Sequence, residues 1–401
     1  MIRSNFYLFL YSVILLSFMT GGCSKFAFRK IDDGQPANKF NWPLAGGGVE
    51  RASHRPYNMA LPLEEKKRFK MSSALGQNVV ASNGYVFAPT LDGRLVAINL
   101  QQMRIKVKKK LPQAHEAACA VADSSMVLAR RFGVNTLLHY NLRTGKLLWE
   151  VNAGDIATEP LIADTAIYCA ALYNHVDAYR RSDGLRLWQY RTPAQLRSSP
   201  ALANGILVVG MDNGFLLGLD ARTGSKKWEF DPDAGDEHKQ QSVPFTGGIQ
   251  ATPIIRGNTV FIGTIGEEFI AVDLLTGAEQ WRIPVDGKVI HAAAANDTLV
   301  IFGANDGRVR AVDAETGRLQ WEFRTSSVIG TSPVIMGHQV FFGSLDHTLY
   351  CLDLRDGAVL WQYALEGRIR TNPIVWENYL ITACEDNLLY IFASADTNMA
   401  L

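Results

Sequence analysis

The chain has 401 residues, 47% of them apolar, with 40 basic and 39 acidic side chains and a net charge of +1. The apolar fraction is ample for a core. The near-neutral balance removes any global argument for nucleic acid as a partner.

Residues 1–22 read as a signal peptide. Arg3 supplies the positive start, and residues 6–19 form an apolar run too short to span a bilayer. The run ends at Thr20-Gly21-Gly22-Cys23. Small residues before a cysteine resemble a bacterial lipobox, with Thr20 where Leu is usual. The resemblance implies that Cys23 is lipidated and becomes the mature N-terminus. Ser24, in place of Asp, implies sorting to the outer membrane. The alternative is an ordinary cleavage site that leaves Cys23 free.

Residues 23–62 read as a lipid-anchored tether and lead-in. Residues 24–41 are polar and without period, as a tether would be. Trp42-Pro43-Leu44, the glycines Gly46, Gly47 and Gly48, and Arg51 follow. This resembles the segment that often precedes propellers built from quinoprotein-type repeats. The glycine run is no dinucleotide loop, because no strand or helix brackets it.

From residue 63 to 401 one unit recurs, seen clearly as VRAVDAETGRLQWEF at 309–323. It reads as strand, tight turn, strand. Asp313 opens the turn by accepting backbone N–H groups. Gly317 closes it, where a positive φ is expected. Leu319, Trp321 and Phe323 alternate with polar residues. The same tryptophan recurs as Trp149, Trp188, Trp228, Trp281 and Trp361, at intervals of 39 or 40 residues except for 53 between Trp228 and Trp281. A fixed period of strand signals means one propeller rather than several domains.

A blade is expected to read as strands 198–202, 206–210, 215–220 and 226–230, with Asp212-Asn213-Gly214 as a hairpin turn. Eight third strands are countable, and the eighth blade lacks an outer strand. The run 65–71 has no blade of its own and is expected to supply it. The fold class is therefore an all-β, eight-bladed propeller of four-stranded antiparallel blades, closed by an N-terminal strand. The tryptophans are expected to pack between neighbouring blades, with Val107 in that position in blade 1.

No HExxH, CxxC, phosphate loop or GxSxG is present, and the eight histidines lack ligand spacing. No catalytic, metal or cofactor residue is assigned. Cys119, Cys169, Cys351 and Cys384 fall in or beside strands. They allow two disulfides, but small buried hydrophobes is the preferred reading.

The repeats resemble those of quinoprotein dehydrogenases, which bind pyrroloquinoline quinone in an eight-bladed propeller with a vicinal Cys pair and calcium. This chain has no Cys-Cys, and the shared residues build blades. A resemblance over nearly the whole chain is to the BamB family, propeller lipoproteins of the outer-membrane β-barrel assembly machinery. In that family a Leu-Arg pair before an inner-strand proline contacts the barrel-assembly partner. The segment TPAQLRSSP at 192–200 implies that role for Leu196 and Arg197, with Ala194 where a second Leu is expected. Leu196, in a connecting loop, is either exposed beside Arg197 as an interface anchor or tucked under a solvated loop. The long interval holds the loop 231–248, where Asp231, Asp233 and Asp236 are either a solvated acidic loop or a second partner contact. Their spacing is not that of a calcium loop.

Two basic clusters remain. Lys288, Arg368 and Arg370, with Arg197, precede inner strands and should gather at one channel mouth. They would form a solvated rim or bind an anion such as a carboxylate. Lys66, Lys67, Arg68 and Lys70, with Arg104, Lys106, Lys108, Lys109 and Lys110, should lie on outer strands of adjacent blades. They would either block edge pairing or meet anionic lipid heads. The expected function is a non-catalytic scaffold in outer-membrane β-barrel assembly, monomeric within a complex. It would be lipid-anchored at the periplasmic face of the outer membrane, with a β-barrel assembly protein as partner and no cofactor. The alternatives are a periplasmic propeller binding pyrroloquinoline quinone or another ligand, and a generic periplasmic interaction or sensor propeller.

Overall fold

The computed structural model describes residues 41–110, 118–232 and 248–395. Eight antiparallel sheets of four strands form the ring, and one of them gains a short parallel fifth strand, His54–Arg55. Blade 1 opens with Val80–Ser82 and closes with Arg104–Lys110. Blades 2 to 7 end in Leu147–Val151, Arg186–Arg191, Lys226–Phe230, Glu279–Pro284, Leu319–Arg324 and Val359–Ala364. Blade 8 is built from Ile369–Trp376, Tyr379–Cys384 and Leu388–Ser394. Its fourth strand is Leu63–Lys70, paired antiparallel with Leu388–Ser394 and placing Phe69 opposite Leu389. The N-terminal strand thus closes the ring, and no blade is left with a missing partner.

Local chemistry explains the blade. Asp313 Oδ1 accepts the N–H of Glu315 at 3.2 Å, the N–H of Thr316 at 2.8 Å and the Thr316 hydroxyl at 2.7 Å. The Thr316 hydroxyl and N–H hold the Asp313 carboxyl below its usual range, and Thr223 and Thr276 do the same for Asp220 and Asp273. The inner strand of blade 4 is shorter than expected: it opens at Ala201–Ala203, not at residue 198. Pro200 has no N–H to give, and Ser198 and Ser199 spend their side chains elsewhere. The hydroxyl of Ser199 accepts the N–H of Glu159 at 2.9 Å.

The blades are joined by tryptophan. The indole N–H of Trp149, Trp188, Trp228, Trp281 and Trp321 donates to the carbonyls of Arg181, Ala221, Leu274, Ala314 and Leu354, each in the turn of the next blade. Trp361 instead reaches Leu63 of the closing strand at 3.1 Å. Four of these rings are buried, while Trp188 and Trp361 are half-buried. The ring needs room in the neighbouring turn. At Gly357, with φ +75°, a Cβ would lie 2.7 Å from the Trp321 ring. Val107 occupies the tryptophan register in blade 1, opposite Ala97. The four cysteines are free and buried. Burial pushes the thiols of Cys119, Cys169 and Cys351 upward.

The joint predicts a graded response. Trp321→Ala is expected to lower unfolding stability by about 3–5 kcal/mol, and Trp321→Phe by about 1–2 kcal/mol because it keeps an aromatic ring. Gly357→Ala should destabilise by a similar order to Trp321→Ala and combine with it sub-additively. Denaturant midpoints of the three single variants and the double variant check this.

Candidate functional site

The lead-in segment crosses one end of the channel. Trp42 and Ala81 exchange backbone bonds at 2.7 and 2.9 Å. Beyond them, inner-strand N–H groups donate to lead-in carbonyls: Val121 to Pro43, Leu202 to Val49, Ile255 to Glu50, Ala295 to Ala52 and Ile335 to Ser53. Blade 3 is reached from the other side, where the Ala45 N–H donates to Glu159 Oε2 at 3.2 Å. The segment is thus a strap fastened to blades 1 to 7 in turn. Its turn at Gly46 and Gly47 has positive φ, and a Cβ on Gly46 would lie 2.5 Å from the Arg51 backbone.

Arg51 is the strap's anchor and is 1% exposed. Its Nε donates to Pro200 O at 2.6 Å, and its Nη1 donates to Ala45 O at 3.2 Å and to Glu159 Oε2 at 3.0 Å. Burial lowers the guanidinium's pKa and raises the Glu159 carboxyl's, each opposed by the other's charge. Sequence reasoning noted Arg51 only as part of a lead-in and missed Glu159, which stands 108 residues away. The one available signal was a charged residue directly before an inner-strand proline.

Above the strap lies a cavity of about 450 Å³, lined among others by Trp42, Arg51, Asn78, Glu159, His291 and Asn372. Residues before the inner-strand prolines tie its wall together. Asn372 accepts the Ser332 N–H at 2.7 Å and donates to Asn78 Oδ1 at 2.6 Å. The X-Pro step holds these residues extended. Burial, then the charge of Arg370, brings the His291 pKa down to about 4, so this imidazole is neutral at ordinary pH.

The predicted mouth cluster is only partly assembled. Arg197 and Arg370 line the cavity, whereas Lys288 and Arg368 are exposed and do not. Each mouth arginine is already paired: Arg197 with Asp212 at 2.6 Å, and Arg370 with Glu385, which Arg368 shares at 2.6 Å. The anion-seeking charge at the mouth is therefore smaller than the sequence suggests.

Leu196 takes the tucked alternative and not that of an exposed anchor, because it is 0% exposed. Its connecting segment is clamped between two hairpins. The Thr192 N–H donates to Asn174 O at 2.9 Å, the Leu196 N–H to Leu172 O at 3.3 Å, and the Asp212 N–H to Gln195 O at 2.9 Å. That clamp turns Leu196 into the core and Arg197 outward. Asp231 is half-buried at the end of blade 4. Asp233 and Asp236, Cys23, the signal peptide and residues 24–40 of the tether lie outside the described residues.

The same face carries apolar groups that sequence reasoning missed. In the hairpins between second and third strands, Leu91, Phe132, Val134 and Tyr173 are exposed, Val134 by 75% and Tyr173 by 61%. They span blades 1 to 3 beside Arg197. The sequence signal was apolar residues where a hairpin turn usually holds Asp, Asn or Gly.

Comparison with known proteins follows this geometry. A family model described as outer membrane protein assembly factor BamB matches residues 114–231, 229–372 and 324–399. A protein of that name from Moranella endobia is 26% identical over 188 residues, 41% of this chain and 46% of the relative. A quinohemoprotein alcohol dehydrogenase from Pseudomonas putida is 31% identical over 165 residues, 35% of this chain and 22% of that enzyme. The aligned stretches thus span less than half the length of these curated relatives. The crystal structure of BamB from Moraxella catarrhalis shares the fold, with TM-score 0.70, 19% identity, and coverage of 83% of this chain and 100% of that one.

The buried pair yields a test. Glu159→Ala leaves an uncompensated guanidinium and should destabilise the fold by about 3–5 kcal/mol. Combining it with Arg51→Met should recover part of that loss. Urea unfolding of the single and double variants measures both.

Proposed function

The chain belongs to the family of outer membrane protein assembly factor BamB, and from that premise we propose a non-catalytic scaffold role in outer-membrane β-barrel assembly. In this reading Cys23 holds the chain at the periplasmic face of the outer membrane. The mouth face docks an outer-membrane β-barrel assembly protein. The observation that carries the reading is the family match, which runs from blade 2 through blade 8.

The mouth face supports it. Phe132, Val134 and Tyr173 give exposed apolar and aromatic area, and Arg197 gives a cation held in place by Asp212. Aromatic and Arg side chains are the groups that anchor protein interfaces. Leu196 takes a different part from the one its neighbour takes. It is a buried pin that fixes the segment, so that Arg197 is presented. Asp231, Asp233 and Asp236 would extend the contact surface on the side of blade 4.

A second reading has its own observations, the quinohemoprotein relative and the axial cavity. It is a propeller that binds pyrroloquinoline quinone or another carboxylated ligand. The residues fit that group poorly. The four described cysteines are separate and buried, and among the described residues no three His, Cys, Asp or Glu are gathered to hold a metal ion.

Affinity purification from the native outer membrane separates the readings. The wild type is expected to bring down a large β-barrel protein. Arg197→Glu combined with Phe132→Ser and Tyr173→Ser should reduce its recovery at least about tenfold while the variant stays folded. If no barrel protein is enriched with the wild type, the scaffold reading fails. Saturable binding of pyrroloquinoline quinone with calcium would then favour the second.

A further inference from the structure

The outer strands of blades 8 and 1, Leu63–Lys70 and Arg104–Lys110, stand on neighbouring parts of the ring's outer wall. Together they carry nine basic side chains and two acidic ones. The outer strands of the other six blades carry six basic and four acidic side chains in all. Lysines that merely block edge pairing would be needed on every blade, since every outer strand has the same free edge. The concentration at two blades therefore asks for another cause.

Exposure alternates strictly along Arg104–Lys110. Ile105, Val107 and Lys109 are half-buried, with the Lys109 ammonium 5.7 Å from the Tyr140 ring centre in blade 2. Arg104, Lys106, Lys108 and Lys110 are exposed. Residues two apart on a strand are about 6.6–6.8 Å apart, so the four cations form a row about 20 Å long. Among the described residues, Lys106, Lys108 and Lys110 have no carboxylate partner, and Arg104 bonds only the Gln102 amide oxygen, at 2.9 Å. On the neighbouring strand Lys66 pairs with Glu64, and Arg68 with Glu65 and Glu366, while Lys67 is exposed and has no carboxylate partner among the described residues. The uncompensated charge thus sits mainly on blade 1.

We propose that this row docks the chain's outer wall on the anionic headgroups of a phospholipid bilayer. The composition favours a bilayer over a protein. The row is Lys-rich, and Lys is depleted at protein interfaces, where a shaped surface needs aromatic or Arg anchors. It offers no exposed aromatic. Flexible ammonium groups in a line suit a diffuse negative surface that needs no directional fit. The first described residues lie at the inner strand of the same blade, with Trp42 bridged to Ala81 and Asn41 accepting the Asn83 N–H at 3.0 Å. The identity of that membrane rests on the outer-membrane reading, but the headgroup contact itself does not.

The test uses the full chain with two vesicle types at low salt, phosphatidylglycerol with phosphatidylethanolamine, and phosphatidylcholine alone. The readout is the ratio of the two partition coefficients, which cancels any apolar insertion common to both. The wild type should favour anionic vesicles, and the preference should vanish at high salt. Arg104→Gln, Lys106→Gln, Lys108→Gln and Lys110→Gln, added one by one, should each lower the ratio about fivefold. Lys226→Gln with Lys227→Gln, on the wall of blade 4, should leave it unchanged. All six side chains are exposed, and unchanged melting confirms the fold. A wild-type ratio near one, or an equal loss in the blade 4 variant, overturns the proposal. So does tighter, row-dependent binding to polyglutamate than to anionic vesicles, which would make an acidic protein segment the occupant. None of these outcomes alters recovery of a barrel protein, so the two readings fail separately.

Discussion

One contact repeats around the ring and sets its geometry: an indole N–H from one blade reaching a carbonyl in the turn of the next. It joins three requirements at one point. The donor needs an acceptor when buried. The acceptor is a carbonyl in the tight turn that follows a third strand. The ring needs a turn without a Cβ, which glycine supplies. Five junctions use it in full, and at a sixth the Trp361 indole reaches Leu63 instead and locks the strand that closes the circle. The closing strand is fixed again by the Tyr363 hydroxyl, which donates to Glu65 at 2.8 Å.

The junctions on either side of blade 1 lack the indole, and other contacts replace it. The strap bonds Ala81 of blade 1 and Val121 of blade 2. Blade 8 is tied to blade 1 by Asn372 with Asn78 and by the Thr371 hydroxyl, which donates to Gly76 O at 3.0 Å. The strap also lies across one end of the channel, with a buried ion pair beneath the cavity. Polar work at the open end is then confined to the mouth, where the arginines are already matched to carboxylates of their own hairpins. What remains unmatched there is apolar: the hairpin tips of blades 1 to 3. Both features that carry functional weight, the apolar mouth and the basic wall, lie in or beside the part of the ring where the repeat pattern is weakest.

Legibility followed the same line. The Asp-Gly-Trp unit was readable because each residue answers to its own strand and turn. The closing strand was readable because a strand pattern stood without a blade. The strap was not, since its bonds run from a non-periodic segment to backbone groups in six blades and to the Glu159 carboxylate in a seventh. Arg51 and Glu159 were invisible as a pair for the same reason. The side on which Leu196 lies was left open, because it depends on two hairpins from different blades, which no local pattern encodes. Arg197 and Arg370 line the cavity, but their partners Asp212 and Glu385 were not foreseen. The row on blade 1 was readable in full, because alternation along one strand is a local property.

Site-specific photocrosslinking in the native outer membrane bears most directly on whether the mouth face is where a partner docks. A photoreactive residue would be placed at Phe132 or Tyr173 on that face, and at Lys226 on the distant wall. The scaffold reading predicts crosslinks to one β-barrel protein from positions 132 and 173 and none from position 226. Crosslinks from position 226 alone, or none from any position in a membrane where the chain is abundant, would contradict it.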